Sequence, residues 1–178
     1  MVYFDNAATT YPKPEEVYLF ADKTYRECGV NIGRGQYYLA TKAENLLSDL
    51  RFKIKKLFNS NNKEVVFTST ATEAINIIIQ GLELKNNTKI YITPFEHNAI
   101  TRCLKYLSEK KNIEIIQLAF SKENFSFDIE KIKYQFQDKN PDLIIMTHAS
   151  NVCGVITPIN EICDLSKKYN SINIIDMA

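Results

Sequence analysis

The chain has 178 residues, 45% of them hydrophobic, with a formal net charge of +1. That length can bury a sizeable core as one domain, and the near-neutral charge leaves no global field to draw nucleic acid or an acidic partner. No apolar run is long enough to cross a bilayer. The basic runs are only pairs (Lys55-Lys56, Lys110-Lys111, Lys167-Lys168), which read as solvated surface. Cys28, Cys103, Cys153 and Cys163 have neither metal-ligand nor C-x-x-C spacing, so no metal site is expected. With no signal-peptide pattern before them, they read as reduced thiols of a cytoplasmic protein.

The N-terminal stretch Tyr3-Phe4-Asp5-Asn6-Ala7-Ala8-Thr9-Thr10-Tyr11-Pro12-Lys13-Pro14 combines turn formers, small residues and prolines. It predicts an extended arm. Pro14 suits the first turn of a helix running to about Cys28, with Gly29 as its stop. Asn31-Ile32-Gly33-Arg34-Gly35 follows as a short loop that presents a guanidinium or simply connects helices. A long helix is predicted from Tyr37 to Phe58, its apolar stripe made of Ala40, Ala43, Leu47, Leu50, Ile54, Leu57 and Phe58. Asn59-Ser60-Asn61-Asn62 ends it.

Val65-Val66-Phe67 then reads as a buried strand, Thr68 to Thr72 as a polar turn, and Ala74, Ile75, Ile78, Ile79 and Leu82 as the apolar face of a helix ending near Gly81. Ser69, Thr70 and Thr72 are N-cap types, and the first turn of such a helix offers unpaired N–H groups to an anion. Strand and helix alternate from there on. Strands are predicted at Lys89–Thr93, Ile113–Leu118, Leu143–Thr147 and Ile172–Ile175, the last carrying Asp176. Helices are predicted at Ala99–Lys110, Ile129 to about Gln137 with Asp128 as cap, and Ile159–Tyr169. Pro94 to Asn98 is a turn and His148 to Pro158 a polar loop.

This alternation implies an α/β fold with a mostly parallel sheet and helices on both faces, three layers in all. Ligands of such sheets sit beyond the carboxyl ends of the strands, where Thr70, Thr72, His97, Ser150, Asn151 and Asp176 fall. A phosphate anchor, an imidazole and a carboxylate on neighbouring strand ends suit pyridoxal 5′-phosphate, whose pyridine nitrogen needs an acidic partner. Asp176 could be that partner or a turn aspartate. His97 could stack on the ring or be satisfied by local hydrogen bonds. Asn151 could donate to the ring hydroxyl or hold its own loop, and His148 reads either way, with a structural role favoured. The G-x-G-x-x-G turn of dinucleotide-binding domains is absent.

These segments, together with Glu96-His97-Asn98-Ala99, Ser150-Asn151-Val152-Cys153-Gly154 and Ile174-Ile175-Asp176-Met177-Ala178, occur in order along the whole chain. They resemble the N-terminal portion of the class V aminotransferase family of pyridoxal-phosphate enzymes, closest to the cysteine desulfurases and selenocysteine lyases. The resemblance implies the large domain of the fold type I enzymes, incomplete here. Residues 1–35 would be arm, helix and glycine loop, and residues 36–178 part of the cofactor-binding domain, without the C-terminal small domain.

By the same resemblance Ala71 and Thr72 hold the phosphate, and His97 stacks on the ring. Asn151 lies near the ring hydroxyl, Asp176 pairs with the pyridine nitrogen, and Ala7, Ala8, Asn31 and Arg34 lie on the substrate side. The family's phosphate turn carries glycine where this chain has Thr70. Were a positive φ needed there, Thr70 would be strained and phosphate binding weakened. The family's Schiff-base lysine, its carboxylate-binding arginine and the desulfurases' mobile-loop cysteine belong beyond Ala178, and none of the four cysteines matches the last. The implied activity is removal of sulfur from L-cysteine, giving alanine and an enzyme persulfide, in a homodimer that serves a sulfur-acceptor protein. The 178 residues alone are expected to be inactive. The alternatives are another class V aminotransferase or carbon–sulfur lyase, and a non-catalytic binding or oligomerisation module.

Overall fold

The computed structural model of the protein describes residues 2–33 and 35–178. Arg34, one of the substrate-side candidates, lies outside the described residues. The chain divides into two compact units, one ending at Phe67 and one beginning at Thr68.

The first unit contains helices α1 (Glu15–Cys28) and α2 (Tyr38–Leu57). Pro14 precedes α1 with φ −53°, as its ring requires. Gly29 closes α1 through a close approach rather than a left-handed turn. Its φ is −71°, but a Cβ there would stand 2.6 Å from the Tyr25 carbonyl oxygen. Glu27 on α1 and Lys42 on α2 form an ion pair of 2.7 Å.

One expectation fails in this unit, the strand at 65–67, and α2 is less covered than its pattern suggests. The apolar stripe of α2 is only partly covered. Ala40 and Ala43 are buried and Leu47 and Ile54 half-buried, while Leu50, Leu57 and Phe58 are exposed. Helical periodicity marks an apolar face but does not provide the surface that covers it. Residues 65–67 likewise enter no ladder among the described residues, and Val66 is 81% exposed. A β-branched run favours extended backbone, but a strand exists only where a neighbour pairs with it.

The second unit begins with α3 (Ala71–Gly81), then β1 (Lys89–Ile92), α4 (Asn98–Lys110) and β2 (Glu114–Gln117). A two-stranded antiparallel hairpin follows, β3 (Phe120–Ser121) and β4 (Ser126–Phe127). Next come α5 (Ile129–Asp138), β5 (Leu143–Thr147), α6 (Ile159–Ser166) and β6 (Ile172–Asp176). The sequence reading gave no hairpin at 120–127, because two-residue strands carry no periodicity. The helix read as continuous from Ile159 to Tyr169 is α-helical only to Ser166. Lys167–Tyr169 tighten to 3-10 geometry, and Asn170 turns left-handed at φ 54°.

The main sheet is fully parallel, in the order β2-β1-β5-β6. Its side chains alternate between two cores, as the pleat demands. Ile90, Leu143, Ile145 and Ile174 face Ile75 and Ile79 of α3 and Ile100, Cys103 and Leu104 of α4. Tyr91, Ile144, Met146 and Ile175 face Ile132 and Phe136 of α5 and Ile162 of α6. This is the three-layer α/β arrangement expected from the alternation. β5, covered on both faces, is buried at every position, which explains its unbroken apolar run. β6 is an edge strand with Ile172 and Asn173 exposed, so it is less buried than its apolar sequence suggests.

The strand order fixes where a ligand can enter. From β1 the chain crosses through α4 to β2 on one side. From β2 it returns through α5 to β5 on the other side of β1. The two crossovers cover opposite faces, so the chain leaves β1 and β5 toward opposite faces, and open α/β sheets bind their ligands in the crevice at that reversal.

Candidate functional site

The turn before α3 is a reciprocal cap. Thr70 sits at the N-cap with φ −150° and ψ 157°. Its Oγ1 accepts from the Glu73 N–H at 3.1 Å, and Glu73 Oε2 accepts from the Ser69 N–H at 2.8 Å. Thr70 is therefore in ordinary extended backbone, and the expected strain is absent: this turn needs no positive φ at that position. With Glu73 N–H taken by Thr70, the N–H groups of Ala71 and Thr72 have no partner among the described residues. Two donors at a helix's positive end stand free at the two residues expected to hold phosphate.

His97 is the N-cap of α4, its Nδ1 accepting from the Ala99 N–H at 3.1 Å. That bond puts the proton of the neutral ring on Nε2. The reading of His97 as held by a local hydrogen bond thus applies, and the residue remains exposed. Thr72 and His97 line a common cleft between α3 and α4, together with Asn76, Asn98, Arg102 and Cys103.

Glu96, which the sequence reading treated only as part of a motif, lies between the ends of β1 and β5. Its Oε1 accepts from Thr93 N–H (3.2 Å), Thr93 Oγ1 (2.6 Å) and Thr147 N–H (2.9 Å), and its Oε2 from Thr147 Oγ1 (3.0 Å). Burial pushes its carboxyl above the ordinary range, and these four bonds act against that rise. The signal was present in sequence: Thr93-x-x-Glu96 has the spacing of a capping box.

Thr147 is held from its other side too, its carbonyl accepting from Thr157 Oγ1 at 2.6 Å. Thr157 N–H donates to His148 O at 2.8 Å, and His148 N–H to Asp176 O at 2.8 Å, so the main chain of His148 ties the loop to the end of β6. Ser150 Oγ accepts from the N–H groups of Val152 and Cys153, both at 3.3 Å. Gly154 completes the turn at φ +70°. Ser150, not Asn151, therefore organises this loop, and Asn151 stands exposed at its tip. The Ser150 hydroxyl also lowers the exposed Cys153 thiol below its ordinary pKa.

Asp176 pairs in register with Thr147. Its Oδ1 accepts from the Ala178 N–H at 3.0 Å, a local turn bond that occupies one carboxylate oxygen. Ala7, Ala8 and Asn31 belong to the first unit and are exposed. Ala8 N–H donates to Asp5 O at 3.1 Å in the turn that carries Ala7. The described residues contain no metal-binding cluster of His, Cys, Asp or Glu, and no described helix is long and apolar enough to cross a membrane.

Comparison with known proteins gives a consistent set of relatives. The chain is 32% identical over 174 residues to the cysteine desulfurase IscS of Clostridium botulinum, covering 95% of this chain and 42% of that protein. It is 30% identical to a probable cysteine desulfurase of Halalkalibacterium halodurans, covering 100% of this chain and 44% of the relative. The apo cysteine desulfurase of Thermococcus onnurineus NA1 superposes with a TM-score of 0.90 at 26% identity, over 99% of this chain and 44% of that one. The chain thus spans less than half the length of these relatives. The family model for aminotransferase class-V matches residues 2–178, and the chain belongs to that family.

Proposed function

We propose that this chain supplies the pyridoxal 5′-phosphate-binding residues of a cysteine desulfurase acting on L-cysteine. The observation that carries the reading is the pair of N–H groups at Ala71 and Thr72 without a partner among the described residues, with Thr72 lining a cleft shared with His97. The donor set fits the cofactor. Ala71 and Thr72 N–H, with Thr72 Oγ1, donate to the phosphate at the positive end of α3. The His97 ring would stack on the pyridine. Asn151 would donate to the ring hydroxyl, and Asp176, through the oxygen not bonded to Ala178, would hold the proton on the ring nitrogen.

The bound cofactor supplies an electron sink for negative charge at the substrate carbon. In this reading the reaction is transfer of the cysteine sulfur to an enzyme thiol, giving alanine and a persulfide for a sulfur-acceptor protein. The assembly is a cytoplasmic homodimer. The Schiff-base lysine and the acceptor cysteine correspond to positions beyond Ala178.

The test is titration of the 178-residue chain with pyridoxal 5′-phosphate, followed by absorbance and by circular dichroism of the ring. Wild type is expected to bind saturably with an induced ring signal. Asp176→Ala and His97→Ala are expected to weaken binding by about tenfold each, the scale of a charge-assisted or stacking contact. Binding indifferent to both substitutions would sink the reading.

A further inference from the structure

We infer that Glu96 is the positioning residue of the cofactor site: it spans the crevice between β1 and β5 and fixes His97 against the loop that carries Asn151 and the strand that carries Asp176. This deepens the proposed function and rests on it.

A parallel sheet is least constrained where its crossovers reverse. No ladder bond follows the Ile92↔Ile145 pair in β1 and β5, so beyond it the two strand ends could spread. Glu96 closes that opening. One carboxylate takes two donors from Thr93 at the end of β1 and two from Thr147 at the end of β5. The next residue, His97, starts α4 through its own ring. A shift of the Glu96 backbone therefore moves the imidazole and the helix start together.

Thr147 passes the constraint on. Through its carbonyl it holds Thr157, the far end of the 148–158 loop, and through its ladder with Asp176 it holds β6. The phosphate turn stands outside this network. Its cap is built from Ser69, Thr70 and Glu73 alone.

The network needs acceptors more than charge. Oε1 faces three donors, whereas Oε2 faces only a hydroxyl that can itself accept. Gln in the same rotamer keeps Oε1 in place and lets its amide donate to Thr147 Oγ1. Ala leaves buried donors unpaired on both strands. The conservative replacement should therefore rescue what truncation loses.

The experiment uses the full 178-residue chain and compares Glu96→Ala, Glu96→Gln and, as a milder break, Thr147→Val. Amide exchange without ligand and titration with pyridoxal 5′-phosphate are measured on each. In Glu96→Ala, exchange is expected to quicken at Ala99, His148 and Thr157 as well as at Thr93 and Thr147, with Glu73 and Ala74 unchanged. The cofactor's dissociation constant should rise about tenfold with loss of its induced ring signal. Thr147→Val should move both readouts the same way by less, and Glu96→Gln should stay near wild type.

Exchange changes confined to Thr93 and Thr147, or an unaltered cofactor affinity and ring signal in Glu96→Ala, would overturn the inference. So would a Glu96→Gln variant as impaired as Glu96→Ala. If wild type does not bind pyridoxal 5′-phosphate, the proposed function falls, and the exchange pattern alone decides whether Glu96 sets the strand ends.

Discussion

Glu96 carries two opposed effects on one carboxyl group. Burial favours its neutral form, four hydrogen bonds favour the charged form, and burial is the larger. Its affinity for a proton is therefore higher in the folded chain than in the unfolded one. The stability it contributes is fully present below the ordinary glutamate value of 4.5 and is lost as pH rises through the raised folded value. Glu96→Gln cannot titrate, so the stability difference between wild type and this variant should move against wild type as pH rises above the ordinary glutamate value of 4.5. Urea unfolding at a series of pH values measures it, and a difference constant with pH would refute it. Thr70 shows the converse case, in which a residue that looked strained from sequence is not. The family's glycine suggested a left-handed position, but at φ −150° any residue is comfortable.

At the scale of elements, α3 is held by its buried Ile75 and Ile79 and by its N-terminal cap. Thr70 and Glu73 satisfy two otherwise orphaned N–H groups reciprocally and leave Ala71 and Thr72 open. Thr70→Ala should cost about 1 kcal/mol of unfolding free energy, the usual worth of such a cap, measured by urea denaturation. It should also weaken phosphate-ester binding, because the N-terminal turn frays. Unchanged stability would mean that packing of Ile75 and Ile79 alone holds the helix end. The capping residues Thr70 and Asp128 were legible in sequence because a cap is a local bond between near neighbours. The hairpin at 120–127 was not. It is stabilised by edge-to-face packing of Phe120 with Phe95 and Phe127, ring centroids 4.9 Å and 5.2 Å apart, and a Phe95 contact is remote in sequence.

Across the whole molecule the two units differ in how well they cover their apolar residues. The second has a core on each face of its sheet. In the first, Phe4, Tyr25, Tyr38, Leu57 and Val66 are all more than three-quarters exposed. Exposed apolar surface of this kind binds hydrophobic dyes and self-associates. The chain is therefore expected to enhance anilinonaphthalene sulfonate fluorescence at neutral pH and to sediment with a concentration-dependent mass. A dye-silent, strictly monomeric chain would contradict this. The sequence by itself determined the alternation of strands and helices, their caps and breakers, and the identity of the residues at the strand ends. Each of these depends on contacts between near neighbours or on a periodicity visible in the string. Only the tertiary structure decided that residues 65–67 go unpaired among the described residues, that α2 is half bare, and that Glu96 joins β1 to β5. Pairing, coverage and bridging each require a partner distant in the chain, and no local pattern specifies which distant residue arrives.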